Sequence, residues 1–297
     1  MVSKAKIIVN PYAGRWKALK SIPAIEAALQ REGIAYDLVQ TEGPEQGIEL
    51  ARQAALEGYA PVVAAGGDGT VSEVMNGLVQ AAGDGLAGPT GIIPLGSAND
   101  LPVQLGLPLD VEGACRRLRE GQERVIDVGR VNDRYFDNDV GVGFEPQVTI
   151  EARKIQWLRG TLIYIVAVFR ALRSYHQPHM TVEWDGGRAS GPMLLVSVGN
   201  GNVTGGAFRL TPEAELDDGL LDFVFSTAMS RLQILRFLPL VFSGQHIHRP
   251  EVTHGRTTRL TITSDDPLPE GADGEIISTE AHHLEFEIIP HKLRVIC

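Results

Sequence analysis

Residues 61–77 read Pro61-Val62-Val63-Ala64-Ala65-Gly66-Gly67-Asp68-Gly69-Thr70-Val71-Ser72-Glu73-Val74-Met75-Asn76-Gly77. A continuous apolar run stops at two glycines and an acidic residue, and a helical pattern over 71–80 follows. A short apolar run of this kind is a buried strand. Adjacent glycines let main-chain N–H groups approach an anion closely, and the start of the next helix adds a positive end. Strand, glycine loop and helix together make a phosphate cradle. Asp68 would repel a bare phosphate, so on this reading it serves as a magnesium partner and nothing else. A tight strand–helix turn with no ligand would require the same glycines, so the loop is weighed with its neighbours.

Working outward, the same alternation fills the first half of the chain. Strand-like runs at 6–9, 36–39, 61–65 and 91–94 alternate with helical patterns at 19–32, 47–57, 71–80 and 111–120, with Gly33 and Gly58 closing the first two helices. Alternation of this kind implies a largely parallel sheet covered by helices on both faces. The character changes between 124 and 131. Beyond it, strand-like runs at 134–138, 180–184, 193–198, 221–225, 259–263 and 284–289 are separated by turn clusters such as Asp185-Gly186-Gly187 and Asp217-Asp218-Gly219. Helical patterns at 154–174 and 230–243 interrupt them. The fold expected is an α/β nucleotide-binding domain with a mainly parallel sheet over 1–129, and a mainly antiparallel, β-sandwich-like domain over 130–297 whose last strand returns to the first.

Composition narrows the function classes. The chain has 297 residues, 43% hydrophobic and 22% charged, and a net charge of −10. That acidity argues against a nucleic-acid partner, which calls for a basic footprint. It also removes bulk electrostatic adhesion to anionic lipid. The two cysteines, Cys115 and Cys297, lie in no metal-ligand spacing. The first residues lack a signal-peptide pattern, and the most apolar later stretch, 162–172, is too short to span a bilayer and contains Arg170. A cytoplasmic protein without a transmembrane segment is expected, with peripheral contact at the inner membrane face; a homodimer is left open.

Two further loops follow strands and so should leave the same carboxyl edge of the sheet, where α/β folds bind ligands. Pro94-Leu95-Gly96-Ser97-Ala98-Asn99-Asp100 offers the Ser97 hydroxyl to a phosphate and Asp100 beside Asp68 for magnesium; Asn99-Asp100 would serve equally as a helix N-cap pair. Asn10-Pro11-Tyr12-Ala13-Gly14 is small enough for close approach to a nucleotide. Gly83-Asp84-Gly85-Leu86-Ala87-Gly88 formally matches GxGxxG, but it follows a helix and precedes a strand, the wrong context for a dinucleotide fold. It reads as a loop. No GxxxxGK[ST] pattern occurs. The histidines His176, His179, His246, His248, His282 and His283 form no metal-site pattern.

These loops carry a resemblance. Val9-Asn10-Pro11 with Gly14, Gly66 to Thr70 with Glu73 and Asn76-Gly77, and Pro94-Leu95-Gly96 with Asn99-Asp100 resemble the diacylglycerol kinase catalytic family, which includes bacterial lipid kinases, sphingosine kinases and ceramide kinases. Further along, Asp127-Val128-Gly129, Phe136 with Asn138, Gly141-Val142-Gly143-Phe144, Gly205-Gly206, Pro212, Asp218-Gly219-Leu220 and Asp273-Gly274-Glu275 match in order. The resemblance implies a nucleotide-binding first domain, a β-rich second domain and a site in the cleft between them. It implies that ATP contacts Asn10, Pro11, Tyr12, Ala13, Gly14, Thr41, Gly67, Asp68, Gly69, Thr70, Val71, Ser72, Glu73 and Ser97. It implies magnesium organised by Asp68, Asp100 and Asp127, with Asp273 and Glu275 as the catalytic acidic pair. It also implies a second, structural magnesium at Glu215, Asp218 and Leu220. The chain departs from the family pattern at Ser97-Ala98, where Thr-Thr is commoner, and at Pro102, where alanine is commoner; Leu105-Gly106-Leu107 resumes it.

Phosphoryl transfer depends on positioning and charge neutralisation more than on covalent chemistry. Asp273-Gly274-Glu275 offers two carboxylates, either of which would take the proton of an attacking hydroxyl; in isolation the triplet would read as an acidic surface turn. The expected activity is an ATP- and magnesium-dependent lipid kinase acting on a diacylglycerol-like hydroxyl. A kinase of a soluble substrate such as NAD, which shares the Gly-Gly-Asp-Gly-Thr loop, is the rival, and a non-catalytic nucleotide-binding regulator is a second. Basic residues interleaved with apolar ones from Arg153 through Lys154, Trp157 and Arg159 to Arg170 and Arg173 would suit a membrane surface; a helix packed on the β domain would show the same pattern.

Overall fold

The computed structural model describes residues 4–155, 158 and 161–297. The chain forms two compact units, Met1–Val128 with Ile289–Cys297, and Gly129–Ile288.

The first unit runs β1 (Ala5–Val9), α1 (Ala13–Arg31), β2 (Tyr36–Gln40), α2 (Gln46–Leu56), β3 (Val62–Gly66), α3 (Asp68–Ala82), β4 (Ala87–Pro94), α4 (Asp100–Gln104), α5 (Val111–Glu120) and most of β5 (Glu123–Val131). β1 pairs in parallel with β2 and β3, and β3 pairs in parallel with β4. β3 is buried along its whole length, as an unbroken apolar run requires when both faces of a sheet are covered. α1 buries Ala18, Ile25, Ala28 and Leu29 at helical spacing against Ile7, Val9, Val63 and Ile93. α3 starts three residues earlier than the sequence pattern implied. Asp68 in the first turn suits the positive helix end, and the main-chain N–H groups of Thr70 and Val71 both bond to the Gly67 carbonyl. Only Gly66 and Gly67 form the turn proper.

The second unit contains β6 (Arg134–Phe136), β7 (Asp139–Gly143), α6 (Phe144–Arg153), α7 (Thr161–Ser174), β8 (His179–Trp184), β9 (Gly187–Gly199), β10 (Leu221–Thr227), α8 (Arg231–Phe242), β11 (Val252–Thr257), β12 (Arg259–Ala272) and most of β13 (Glu275–Ile296). Its strands run β11-β10-β9-β7-β12-β13, with β8 paired to both β12 and β9. All these pairs are antiparallel. Phe136, Val140, Val182, Val196, Val198, Phe223, Ile262 and Leu284 fill the core of this unit, following the period-two alternation of half-buried strands. The last residues of β13 belong to the first unit, where Leu293 and Val295 lie parallel to β4.

The helical pattern expected over 154–174 contains α7, which starts at Thr161, and a separate helix, α6, precedes it. α6 ends at Arg153, where the Lys154 N–H turns back to the Glu151 carbonyl. α6 itself went unread because Gly143, at φ 91°, turns the chain straight from β7 into the helix, and a Cβ there would sit 2.6 Å from the Tyr175 hydroxyl. Trp157 and Arg159 lie outside the described residues. Arg153 pairs with Glu275 at 3.2 Å and Lys154 with Glu151 at 2.5 Å, so these two cations have carboxylate partners within the protein.

Candidate active site

In the first unit, strand register sets the geometry. Val9 lies beside Ala65 and Gln40, and Gly66 beside Pro94. The segments that follow therefore leave one edge at one level. The Asn10 N–H bonds to the Ala65 carbonyl, the Thr41 N–H to the Val9 carbonyl and the Leu95 N–H to the Gly66 carbonyl. Thr41 is buried there.

The glycines are required by contact between the loops. A Cβ on Gly96 would stand 2.5 Å from the Gly67 Cα, and one on Gly14 would stand 2.5 Å from the Leu95 carbonyl oxygen. Asn10 accepts the Tyr12 N–H through its side chain and so shapes the first loop. Gly14, Arg15 and Trp16 are left-handed, at φ 59°, 57° and 71°. Tyr12 and Trp16 stand half exposed in an edge-to-face pair with centroids 4.6 Å apart.

Asp68 corrects the expectation that only magnesium could account for it. Its two carboxylate oxygens accept the main-chain N–H groups of Asn99 at 3.0 Å and Asp100 at 2.6 Å. It thereby caps α4, a task for which the sequence offers the pair Asn99-Asp100. Asn99, left-handed at φ 56°, instead accepts the Gly96 N–H at 3.0 Å. Glu73, expected at the nucleotide, accepts the N–H groups of Glu45 at 2.9 Å and Gly47 at 2.8 Å and holds the start of α2. Thr70, Val71 and Ser72 are buried, so their side chains face the interior; Ser97 is exposed on its loop.

In the second unit, Asp273 is left-handed at φ 48° and buried. Its carboxylate accepts the N–H groups of Asp137 at 3.4 Å, Asn138 at 3.0 Å and Asp139 at 3.2 Å. Asn138 and Asn200 extend the network to the Val203 and Asp137 carbonyls. Glu275 is exposed, and Arg153 donates to its carboxylate and to the Gly274 carbonyl at 3.1 Å. A shallow hollow lined by Asp139, Glu145, Thr149, Gly271, Gly274 and Glu275 lies beside it. Gly141 leaves room for the Glu145 carboxylate, which a Cβ would meet at 2.4 Å. Trp16, Glu145 and Asn200 were not read from the sequence, and Arg153 was read there for a membrane surface rather than as the partner of Glu275. Trp16 had a signal, an aromatic four residues after Tyr12; the others had none, since their partners lie far along the chain.

The expected magnesium ligands differ in their fit. Among the described residues, no group of three or more His, Cys, Asp or Glu side chains is arranged to hold a metal ion. Asp127 is fully buried, and its Oδ1 accepts the His291 N–H at 2.6 Å. Magnesium typically keeps several waters and takes one or two carboxylates together with substrate phosphates. Asp68 and Asp100, oxygen donors beside the glycine loops, fit an ion that arrives with ATP. At the second position, Glu215 is exposed and Leu220 donates its N–H to Asp218 at 3.0 Å. Arg256 lies 3.5 Å from Asp218 there, yet Asp218 Oδ2 and Asp222 Oδ2 are buried without a hydrogen-bond partner, oxygens of the kind a cation would take.

An α/β unit with phosphate-type loops at one sheet edge, followed by a β-sandwich-like unit, defines a class of phosphotransferases. Residues 4–131 match the diacylglycerol kinase catalytic domain, and residues 138–297 match the YegS C-terminal NAD kinase beta sandwich-like domain. Diacylglycerol kinases of two Staphylococcus aureus strains, MRSA252 and Newman, are 30% identical over 276 residues, 93% of this chain and 87% of theirs. The crystal structure of a protein described as a putative diacylglycerol kinase from Bacillus anthracis superimposes with a TM-score of 0.80 at 22% identity, covering 99% of this chain and 96% of that one. The chain belongs to the diacylglycerol kinase family, and it is a kinase.

Proposed function

We propose that the protein transfers the γ-phosphoryl group of ATP to the hydroxyl of a diacylglycerol-like lipid. The observation that carries this is the set of loops after β1, β3 and β4, aligned by register, with Asp68 tying the second to the third, in a chain of this family. The phosphates of ATP would lie against the loop Asn10, Pro11, Tyr12, Ala13 and Gly14 and take main-chain N–H groups from the Gly67–Gly69 turn, with Thr41 and Ser97 supplying hydroxyls. Val71, Ser72 and Glu73 would act by holding the helix that bears this turn. Magnesium bound with ATP would be held by Asp68 and Asp100, with Asp127 as the third acidic residue the resemblance implies, and would neutralise phosphate charge.

Of the acidic pair, Glu275 suits the base. Asp273 is committed to three main-chain donors and fixes the turn over 137–139. Glu275 is exposed and held by Arg153. Its carboxylate would take the lipid hydroxyl proton as the new O–P bond forms and the bond to the departing ADP oxygen breaks. The lipid would be met at a membrane surface, by peripheral contact; among the described residues no helix is long and apolar enough to cross a membrane.

The NAD kinase-like character of the second unit supports a second reading, transfer to a soluble hydroxyl such as that of NAD. Radiolabelled ATP, presented with extracted lipids in one arm and NAD in the other, separates the two when products are identified by mass spectrometry. Label in NAD and in no lipid would overturn the lipid reading.

A further inference from the structure

No Asp or Glu occurs in the chain before Glu26. In a protein of net charge −10, the start of α1 is therefore a local exception. Arg15, Lys17 and Lys20 are exposed there, and among the described residues none of the three has a carboxylate partner. Other cations do: Lys4 pairs with Asp37, and Arg153 and Lys154 pair with Glu275 and Glu151. Large apolar side chains stand among the three. Tyr12, Trp16 and Leu19 are 50%, 51% and 41% exposed, while Ala18 and Ile25 turn the opposite side of α1 to the core. One exposed apolar residue needs no explanation, but several in one short segment make a patch. The backbone holds it out. Arg15 and Trp16 are left-handed, at φ 57° and 71°, a conformation that bulky residues adopt only at a cost. The Trp16 N–H bonds back to the Tyr12 carbonyl at 3.3 Å, and the Tyr12 ring braces the indole edge to face. Indole and cations side by side are the composition of a membrane interface, where the ring enters the headgroup layer and Arg and Lys meet anionic lipid. A nucleotide would call for donors converging on one point, whereas Lys17 and Lys20 are spread along the outer side of the helix.

We propose that the segment 15–20 docks the first unit on an anionic membrane surface. Trp16 and Leu19 enter the headgroup layer, and Arg15, Lys17 and Lys20 lie against lipid phosphates. The loop 10–14 runs directly into this segment, so docking sets the nucleotide loops at the surface where a lipid hydroxyl is presented. The purpose of docking rests on the lipid-kinase reading, but the docking is measured apart from it.

The test is sedimentation of the full chain with vesicles of phosphatidylcholine alone, and of phosphatidylcholine mixed with anionic phosphatidylglycerol. The wild type should bind the anionic vesicles, bind the neutral ones far less, and be released by high salt. Arg15→Gln, Lys17→Gln and Lys20→Gln together should weaken binding roughly a hundredfold, at about fivefold for each cation removed from the surface. Trp16→Asn, which tolerates the left-handed turn, should weaken binding severalfold and diminish the blue shift of tryptophan fluorescence on anionic vesicles. Should the triple variant not fold, Trp16→Asn decides alone. Absence of binding by the wild type, or binding that neither variant weakens, would overturn the proposal. So would loss of ATP affinity in the triple variant with vesicle binding intact, which would give these cations to the nucleotide. Docking through this segment with label found only in NAD would uphold the proposal and overturn the lipid-kinase reading; lipid phosphorylation with vesicle binding undiminished in both variants would do the reverse.

Discussion

Asp68 holds two main-chain N–H groups of a loop more than thirty residues away in sequence. Substituting it therefore tests structure and chemistry together. Hydrogen bonds to a charged acceptor contribute about 1.5–3 kcal/mol, and Asn keeps one acceptor oxygen. Asp68→Asn should lower the unfolding midpoint of the first unit by a few degrees as well as lowering turnover, which differs from the purely catalytic loss the sequence alone suggests. Normal midpoint with lost activity would return Asp68 to a metal-only part. Glu275 offers the cleaner separation, because its ion pair with Arg153 is exposed and such pairs contribute about 0–1 kcal/mol. Glu275→Gln should cut kcat by about 10²–10⁴ with an unchanged midpoint; kcat within a few-fold of wild type would remove Glu275 as the base. Arg153→Ala, read in parallel, should lower kcat more mildly and leave the KM for ATP unaltered.

At the scale of elements, helix ends show how local chemistry becomes architecture. α8 opens with a capping box, Ser230 accepting the Gln233 N–H while Gln233 accepts the Ser230 N–H at 2.9 Å. Ser230→Ala should cost about 1 kcal/mol, measured by denaturant midpoint at constant m-value. α5 is capped locally too, Asp110 accepting the Gly113 N–H at 2.8 Å. α2 and α4 are not: their caps come from Glu73 and Asp68. Local caps were readable, since the donor lies three residues from the acceptor. Distant caps were not: the glycine loop points Asp68 to magnesium, and the family resemblance places Glu73 at the nucleotide. The helix over 144–153 went unread for a related reason, since a glycine at positive φ leaves no periodic signal, whereas the pattern over 154–174 holds the helix at 161–174.

For the whole molecule, stability should depend on pH through a carboxyl in the β-rich unit. Glu270 lies on β12 opposite Val142, and burial pushes it up to about 7. Below its unfolded value of about 4.5 both states are protonated. Between there and 7 only the folded state keeps the proton, so this group's contribution falls as pH rises and then levels off. Glu270→Gln should therefore raise the midpoint at pH 8 by a few degrees, at roughly 2–4 °C per kcal/mol, and change it little at pH 5. Equal effects at both pH values would show that Glu270 does not titrate in this range.

Consecutive residues determined a good deal by themselves. The order of strands, glycine turns and helices, and the family motifs Gly66 to Thr70, Pro94 to Asp100 and Asp273 to Glu275, are written in local periodicity and in the places where only glycine fits. Tertiary structure decided what the acidic side chains hold. Asp68 reaches residues 31 and 32 positions away, Glu73 reaches 26 and 28, and Asp273 reaches 134 to 136. A carboxylate accepts a proton, a metal or an amide with the same oxygens, so its partner is settled only when folding brings one within about 3 Å.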